Sequence, residues 1–439
     1  MRIRTLFLLG LLGGCAAAQQ TDTTIPTPVA APGPNPFVTL ASEFFEHDFV
    51  NVYAYGDGVL DTNNPIVTAS GQVKNSLATG FDVGGGIGLS HGFHNGQITL
   101  GYQGAWREYQ SNYFTSGTTQ NLSLGFSKRL TRHLSLSVGA GGGIALYGGT
   151  LFNESTATLT PIITNPFSPE TKYAGGNIGL SYQQTRRLSY SVYGGIFLTR
   201  NNAPGSIGAT GASGGVSVAY RLTARDSISG SYTHSYFTYQ RNTGQDSADQ
   251  VGVGYSHTFN NHWYVSLFGG EARSVATGTV ALPVTLILAN GEGIGGYVLG
   301  QYHQTVLVPS YSGSVSHTYR RSVFSISGSE GIAGSGNGYF IASRSISGSG
   351  VYSYSWHGQN VSFAGSIYRL TSIANTVSSA YSGSAFSASY GRSLVRHVGM
   401  FVRYDFFRYG ALTPVSGVSD NRISFGFNFS SHSVPLTLF

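Results

Sequence analysis

Along most of this chain polar and apolar side chains take turns. In RSISGSGVYSYSW, residues 344–356, and the residue before it, serine recurs at Ser343, Ser345, Ser347, Ser349, Ser353 and Ser355, broken only by Val351. The positions between carry Ile346, Tyr352, Tyr354 and Trp356. A period of two is that of a β-strand, whose successive side chains leave on opposite faces. The same split recurs in QITLGYQGAWR, where Ile98, Leu100, Tyr102 and Trp106 oppose Thr99, Gln103 and Arg107. In NLSLGFS, Leu122, Leu124 and Phe126 oppose Asn121, Ser123 and Ser127, and near the C-terminus Ile423, Phe425, Phe427 and Phe429 oppose Ser424, Gly426, Asn428 and Ser430.

The strands come in repeated units of alternating strand, polar turn, alternating strand. FSKRLTRHLSLSVGAG at 126, YQQTRRLSYSVYGG at 182, YRLTARDSISGSY at 220, YSHTFNNHWYVSLFGG at 255 and YGRSLVRHVGMFVRY at 390 are the clearest. With weaker members they give eight short turns, centred near 94, 131, 185, 224, 260, 320, 358 and 395. Most intervals are about 37 residues, the length of two strands of a dozen residues, a short turn and a longer loop, so the chain reads as a meander of antiparallel hairpins. Two intervals are longer, and extended loops are expected there, near 149–171 and 274–310. Asn290-Gly291 in the second is either a hairpin turn inside that loop or a ninth short turn. Eight turns join sixteen strands, and one strand at each end, 48–58 and 421–430, brings the expectation to 18, with 16 or 20 as alternatives.

Alternation alone does not separate a soluble sandwich from a membrane barrel; composition does. Only 10% of the 439 residues are charged, against about a quarter in soluble domains. Gly (62 residues), Tyr (28) and Phe (26) take their place. The polar face is built of Ser, Thr, Gly, Asn and Gln, which suits a lumen, while the apolar face suits lipid; a crossing strand needs about 9 to 11 residues. Closure would also remove the sheet edges that so many strands would otherwise expose. An aromatic residue stands a few positions before most short turns, at Phe126, Tyr182, Tyr220, Tyr255, Tyr319, Trp356 and Tyr390, as an interfacial girdle requires.

On these features residues 43–439 resemble the bacterial outer-membrane porin-like β-barrels. The resemblance implies an all-β fold, a transmembrane antiparallel β-barrel with short periplasmic turns and longer extracellular loops, located in the cell outer membrane. It also implies outer-membrane lipids and the barrel assembly machinery as partners. Phe439 looks like the terminal aromatic by which such barrels are recognised, although Pro435 separates it from the alternation that ends at Ser430.

The N-terminus fits a secreted barrel. Arg2 and Arg4 precede an apolar core from Leu6 to Leu12 and small residues from Gly13 to Ala18, a secretory signal too short to anchor a membrane protein. Two cleavages fit: after Ala18, which is preferred, or before Cys15 in a lipoprotein-like box. The domain plan is therefore a signal peptide at 1–18, a Pro/Thr-rich periplasmic linker at 19–42 and the barrel at 43–439.

The candidate functional residues lie on the polar face. Ser227, Ser229 and Ser231 in one strand, Ser325, Ser327 and Ser329 in another, and Ser343, Ser345, Ser347 and Ser349 in a third are expected to line a lumen. By the same phase Arg107, Arg403 and Asp405 project inward, where charge sets ion preference; Arg403 and Asp405 equally admit mutual neutralisation. Barrels of this size leave an aqueous channel, so the expected function is passive diffusion of small hydrophilic, neutral solutes such as saccharides. An outer-membrane part of an exopolysaccharide export system is the alternative. The net charge of +6 reflects arginines at the short turns and does not indicate nucleic acid. Monomer and oligomer both remain open.

No enzyme, cofactor or metal is expected. The glycine runs VGGGIG at 83–88 and VGAGGGIALYGG at 138–149 lie inside strands with no helix following, so they are not nucleotide loops; they relieve crowding or permit curvature. A hydrolase would need a Ser or His and a carboxylate converging at one rim, and no nucleophile elbow is present. His234 and His317 fall on the apolar phase and read as interface residues.

Overall fold

The computed structural model describes residues 49–431 and 434–435, apart from 62–65, 68–72, 75–76, 111–115, 147–149, 154–157, 162–169, 202–207, 240–243, 261, 288–292, 335–341, 374–379 and 411–417. The expected signal peptide, the linker and Phe439 lie outside the described residues. The barrel strands are β1 (Phe49–Asp61), β2 (Ala78–Phe93), β3 (Gly96–Tyr109), β4 (Gly117–Arg129), β5 (Leu134–Leu146) and β6 (Glu170–Gln183). The next six are β7 (Leu188–Asn201), β8 (Ala209–Arg221), β9 (Asp226–Tyr239), β10 (Gly244–Thr258), β11 (Trp263–Ile287) and β12 (Gly293–Tyr319). The last six are β13 (Ser322–Gly334), β14 (Ala342–Trp356), β15 (Gln359–Ser372), β16 (Ala380–Val395), β17 (Val398–Gly410) and β18 (Val418–Ser430).

Each strand pairs antiparallel with its sequence neighbours, and β1 pairs with β18 from Tyr53 opposite Ser430 to Asp61 opposite Arg422. The result is a closed barrel of 18 strands, as the turn count predicts. The terminal strands expected at 48–58 and 421–430 are the two that close it.

All eight short turns fall where the repeat places them. Four share one construction: a side-chain oxygen accepts the backbone N–H groups two and three residues on. Thr131 does so from His133 and Leu134, Thr185 from Arg187 and Leu188, Thr223 from Arg225 and Asp226, and Asn260 from His262 and Trp263, all at 2.8–3.2 Å. This is the local side-chain cap that favours Thr and Asn in turns. The other four are two-residue turns, three of them with positive φ, at Asn95, at Arg320, and at His357 with Gly358.

The second long interval departs from expectation. The segment near 274–310 is for the most part not a loop: β11 and β12 stay paired out to Ile287 opposite Gly293, 25 and 27 residues long, so the hairpin runs on past its neighbours. Its apolar run VALPVTLILA hides the period of two that betrays the other strands. Asn290-Gly291 lies outside the described residues. In the other long interval, Thr150–Asn153 pairs with Thr158–Pro161 as a separate small hairpin.

Contacts that skip a strand identify the inner face. Tyr109 on β3 donates from its hydroxyl to Asp61 Oδ2 on β1 at 3.0 Å, Tyr173 on β6 donates to Asn121 on β4 at 2.9 Å, and Gln250 on β10 donates to Ser310 on β12 at 2.8 Å. Side chains two strands apart converge on the concave side of a barrel and diverge on the convex side. The face opposite these contacts carries the exposed apolar residues: Ile98, Tyr102 and Trp106 on β3, Leu122 and Leu124 on β4, and Ile423, Phe425, Phe427 and Phe429 on β18. The seven aromatics near the short turns all lie on this outer phase. Among the described residues the closed ladder leaves no free strand edge, and its exterior is mostly apolar, as hydrocarbon requires; the outward charges of Glu271, Arg273 and Glu330 lie toward its long-loop rim.

The glycine run in β2 serves the inner face. Gly84 and Gly86 sit opposite Tyr55 and Tyr53, whose rings lie over them. A Cβ at Gly84 would meet the Tyr55 ring at 2.5 Å, and one at Gly86 the Tyr53 hydroxyl at 2.6 Å. The run relieves crowding, as its strand context suggests.

Candidate functional site

Strand register turns the serine alternation into a row. Ser227 on β9 stands opposite Ser256 on β10, Ser256 opposite Ser266 on β11, and Ser266 opposite Ser314 on β12. The row continues from Ser314 to Ser327 on β13, to Ser349 on β14 and to Ser366 on β15. Seven successive strands thus place a serine at the same rung of the inner face. A second row, Ser181, Ser191, Ser217 and Ser231, crosses β6 to β9. Because barrel strands tilt against the axis, a row of directly opposed residues winds up the wall, from the first turn of β9 to the middle of β15.

Within the hairpins the hydroxyls bond to each other. Ser191 and Ser217 are 2.5 Å apart, Ser227 and Ser256 2.6 Å, Ser266 and Ser314 2.7 Å, and Ser362 and Ser389 2.6 Å. Ser327 meets Ser349 and Ser329 meets Ser347, each at 2.8 Å. A hydroxyl is both donor and acceptor and its proton rotates, so each pair keeps a free lone pair for a third partner. All but Ser366 in the longer row are half-buried rather than sealed.

Every serine singled out from the sequence lies on this inner phase. Ser229 and Ser231 flank the row on β9, Ser325 and Ser329 on β13, and Ser345 and Ser347 on β14. Ser343, nearer the long-loop end, is fully buried.

The three charged candidates also lie on the inner phase, but in a different setting. Arg107 on β3 is 3% exposed and holds Asp82 on β2, 2% exposed, through Nε to Oδ1 at 2.7 Å and through Nη2 to Oδ2. Arg403 donates from Nε to Asp405 Oδ1 at 2.8 Å within β17, both residues being 1% exposed. The pair does neutralise itself, but incompletely: Nη1 and Nη2 of Arg403 and Oδ2 of Asp405 are buried without a hydrogen-bond partner.

Around them the barrel assembles a patch that the sequence reading did not single out. Asp405 on β17 stands opposite Arg422 on β18, and Arg422 opposite Asp61 on β1, with Arg422 Nε 3.6 Å from Asp61 Oδ2. Asp57 on β1 stands opposite Asp82 on β2, which stands opposite Arg107 on β3. With Asp420, five carboxylates and three guanidiniums are buried on the long-loop half of five adjacent strands. Arg107 also lies 5.8 Å from the Tyr109 ring centroid and Arg422 5.9 Å from that of Phe407. The signal was present strand by strand, in the phase of Tyr53, Tyr55, Asp57 and Asp61, but only closure brings β18, and β17 behind it, round to β1.

The histidine–carboxylate contacts are elsewhere. His234 Nδ1 lies 2.8 Å from Asp249 Oδ1 and His257 Nδ1 2.6 Å from Asp226 Oδ1, both on the outer phase and away from the serine rows. Thr223, His257 and Tyr255 all hydrogen-bond Asp226 at its turn, and together hold its carboxyl below the usual range.

No protein-family model matches the sequence, and no curated protein matches it. Among solved structures, a BenF-like porin from Pseudomonas fluorescens Pf-5 aligns with 88% of this chain and 100% of its own at 12% identity and a TM-score of 0.43. Pseudomonas aeruginosa OccK5 (OpdH) aligns with 88% and 99% at 12% identity and a TM-score of 0.41. OccK2 (OpdF) of the same species, solved in complex with glucuronate, aligns with 88% and 100% at 11% identity and a TM-score of 0.41. The barrel itself rests on the closure and faces of this chain's own strands.

Proposed function

We propose that this barrel is an outer-membrane channel for passive diffusion of small, hydrophilic, uncharged solutes. The serine row on seven successive strands carries the reading. A wall of rotatable hydroxyls gives a polyol alternating donors and acceptors at every step, and binds none of it through charge. Each contact is exchangeable for water, so the solute is wetted rather than held. The charged patch sets five carboxyls against three guanidiniums, so at most two negative charges stay uncompensated and bias the pore only weakly toward cations. The long-loop end is then the extracellular side and the turn end the periplasmic side.

Single-channel conductance of the refolded protein in a planar bilayer tests this, with reversal potential in a salt gradient and titration of neutral saccharides as blockers. Stable conductance with weak ion selectivity and saccharide block is the expected result. Replacing Ser266, Ser314, Ser327 and Ser349 by Val should remove the block and cut conductance several-fold, because the row loses its hydration. A folded barrel that passes no current overturns the channel, and block that survives the four replacements overturns the row as its path.

A further inference from the structure

On the outer face, just above the apolar belt, β14 to β17 carry a cluster of arginines. Arg344 on β14 is diagonal to Arg369 on β15, since Ile346 stands opposite Arg369 and Arg344 opposite Thr371. Arg369 stands opposite Ser382 on β16, and Arg408 on β17 opposite Ser384, two residues further along the same strand. All three arginines are exposed. Strands lie about 4.8 Å apart, so the three guanidiniums and the hydroxyls between them fit within a patch about 15 Å across.

The charge is not balanced locally. Arg344 is paired with Glu330 of β13, while Arg369 and Arg408 have no carboxylate partner among the described residues. One step closer to the short turns the same strands expose pure hydrocarbon: Ile346, Phe386 and Ile367, the last 65% exposed. Arg273 on β11 gives the contrast. It is exposed on the same face but stands opposite Asp249 and two residues from Glu271, so its charge is already met.

We infer that Arg344, Arg369 and Arg408, with Ser382 and Ser384, form a binding site for the phosphate groups of an anionic lipid in the leaflet at the long-loop side, its acyl chains lying on Ile346, Ile367 and Phe386. Guanidinium forks match phosphate oxygens bidentately, and hydroxyls between them complete the hydrogen bonds. A soluble anion would meet the arginines alone, whereas a lipid satisfies the apolar step below them as well. The placement rests on the barrel sitting in the outer membrane, where that leaflet holds phosphorylated glycolipid.

The test is native mass spectrometry of the full, detergent-solubilised barrel with bisphosphorylated lipid A, its monophosphorylated form and inorganic phosphate as probes. Lipid A binding is expected, weaker for the monophosphorylated form and not displaced by millimolar inorganic phosphate. R344Q/R369Q/R408Q should weaken it on the order of a hundredfold, R344K/R369K/R408K should retain most of it, and R273Q should leave it unchanged. Heat-modifiable gel migration identifies folded protein, and single-channel conductance of the triple Gln variant should match the parent, so a failed lipid site and a failed channel read separately. Unaltered lipid A binding in the folded triple Gln variant, equal loss in R273Q, or displacement by inorganic phosphate would overturn the inference.

Discussion

The inner face has two walls built on opposite chemistry. From β9 to β15 it is a row of neutral hydroxyls, half-open to solvent except at Ser366, with six of the seven bonded in pairs between neighbouring strands. From β17 round to β3 it is a buried field of arginines and aspartates in which each guanidinium answers a particular carboxylate. The serine wall is redundant, because removing one member leaves neighbours that rotate to replace its bond. The charged wall is not, because a buried charge has no substitute partner. The first arrangement suits contact with a passing solute, and the second fixes the shape of the strands that carry it.

That comparison can be broken at Arg107. Arg107→Ala leaves Asp82 buried next to Asp57 without its own cation, and should cost about 3–5 kcal/mol, read as a large fall in the temperature at which the barrel loses its heat-modifiable mobility. Adding Asp82→Ala should recover much of the loss; a double variant as unstable as the single one would mean that the Arg107 stem, not its charge, matters.

A smaller effect of opposite sign is expected at Asp57. It faces Asp82 directly, and two carboxyls directly opposite across a ladder repel whenever both carry charge, by about 0.2–1 kcal/mol. Asp57→Asn should therefore stabilise the barrel in the same gel assay. A drop in stability would show that Asp57 is held by a cation in the patch.

On the serine wall, Ser266→Ala with Ser314→Ala removes one cross-strand hydroxyl pair, also worth about 0.2–1 kcal/mol. Stability should barely move while saccharide block weakens. A loss as large as that at Arg107 would erase the distinction between the walls.

The smallest effect lies outside both walls, at the turn. The Asp226 carboxyl is depressed by its bonds from Thr223, His257 and Tyr255, so its contribution is present above the unfolded carboxylate value, about 3.9, and fades as pH falls through the folded value. Asp226→Asn should flatten the acid limb of the stability profile below about pH 4 and leave neutral pH nearly unchanged; an unaltered acid limb would remove the turn carboxylate from account.

Much of this was legible in the chain. Turn residues such as Thr131, Thr185 and Thr223 act through their own backbone, so the eight turns could be read locally and the strand number followed. The phase of Ser227, Ser327 and Ser349 was legible for the same reason. Their alignment into a row was not, because register depends on how each hairpin closes. The β11–β12 extension was missed where VALPVTLILA carries no alternation. The charged patch was missed for a different reason: Asp61 and Arg422 are neighbours only because the first and last strands meet, and no local window contains both.

That meeting sets the order of events in making the molecule. The bond from Val52 N–H to Ser431 Oγ, 2.8 Å long, spans 379 positions, and the rungs beside it are nearly as distant in the chain. Contacts of such sequence separation are the slowest to form. Until the final strand emerges, β1 presents a bare edge with its donors and acceptors unmet, so the nascent chain is an open sheet seeking any strand. A chain ending before residue 418 should therefore not give a slightly smaller cylinder: it would keep two exposed edges, and aggregation or degradation would be its fate.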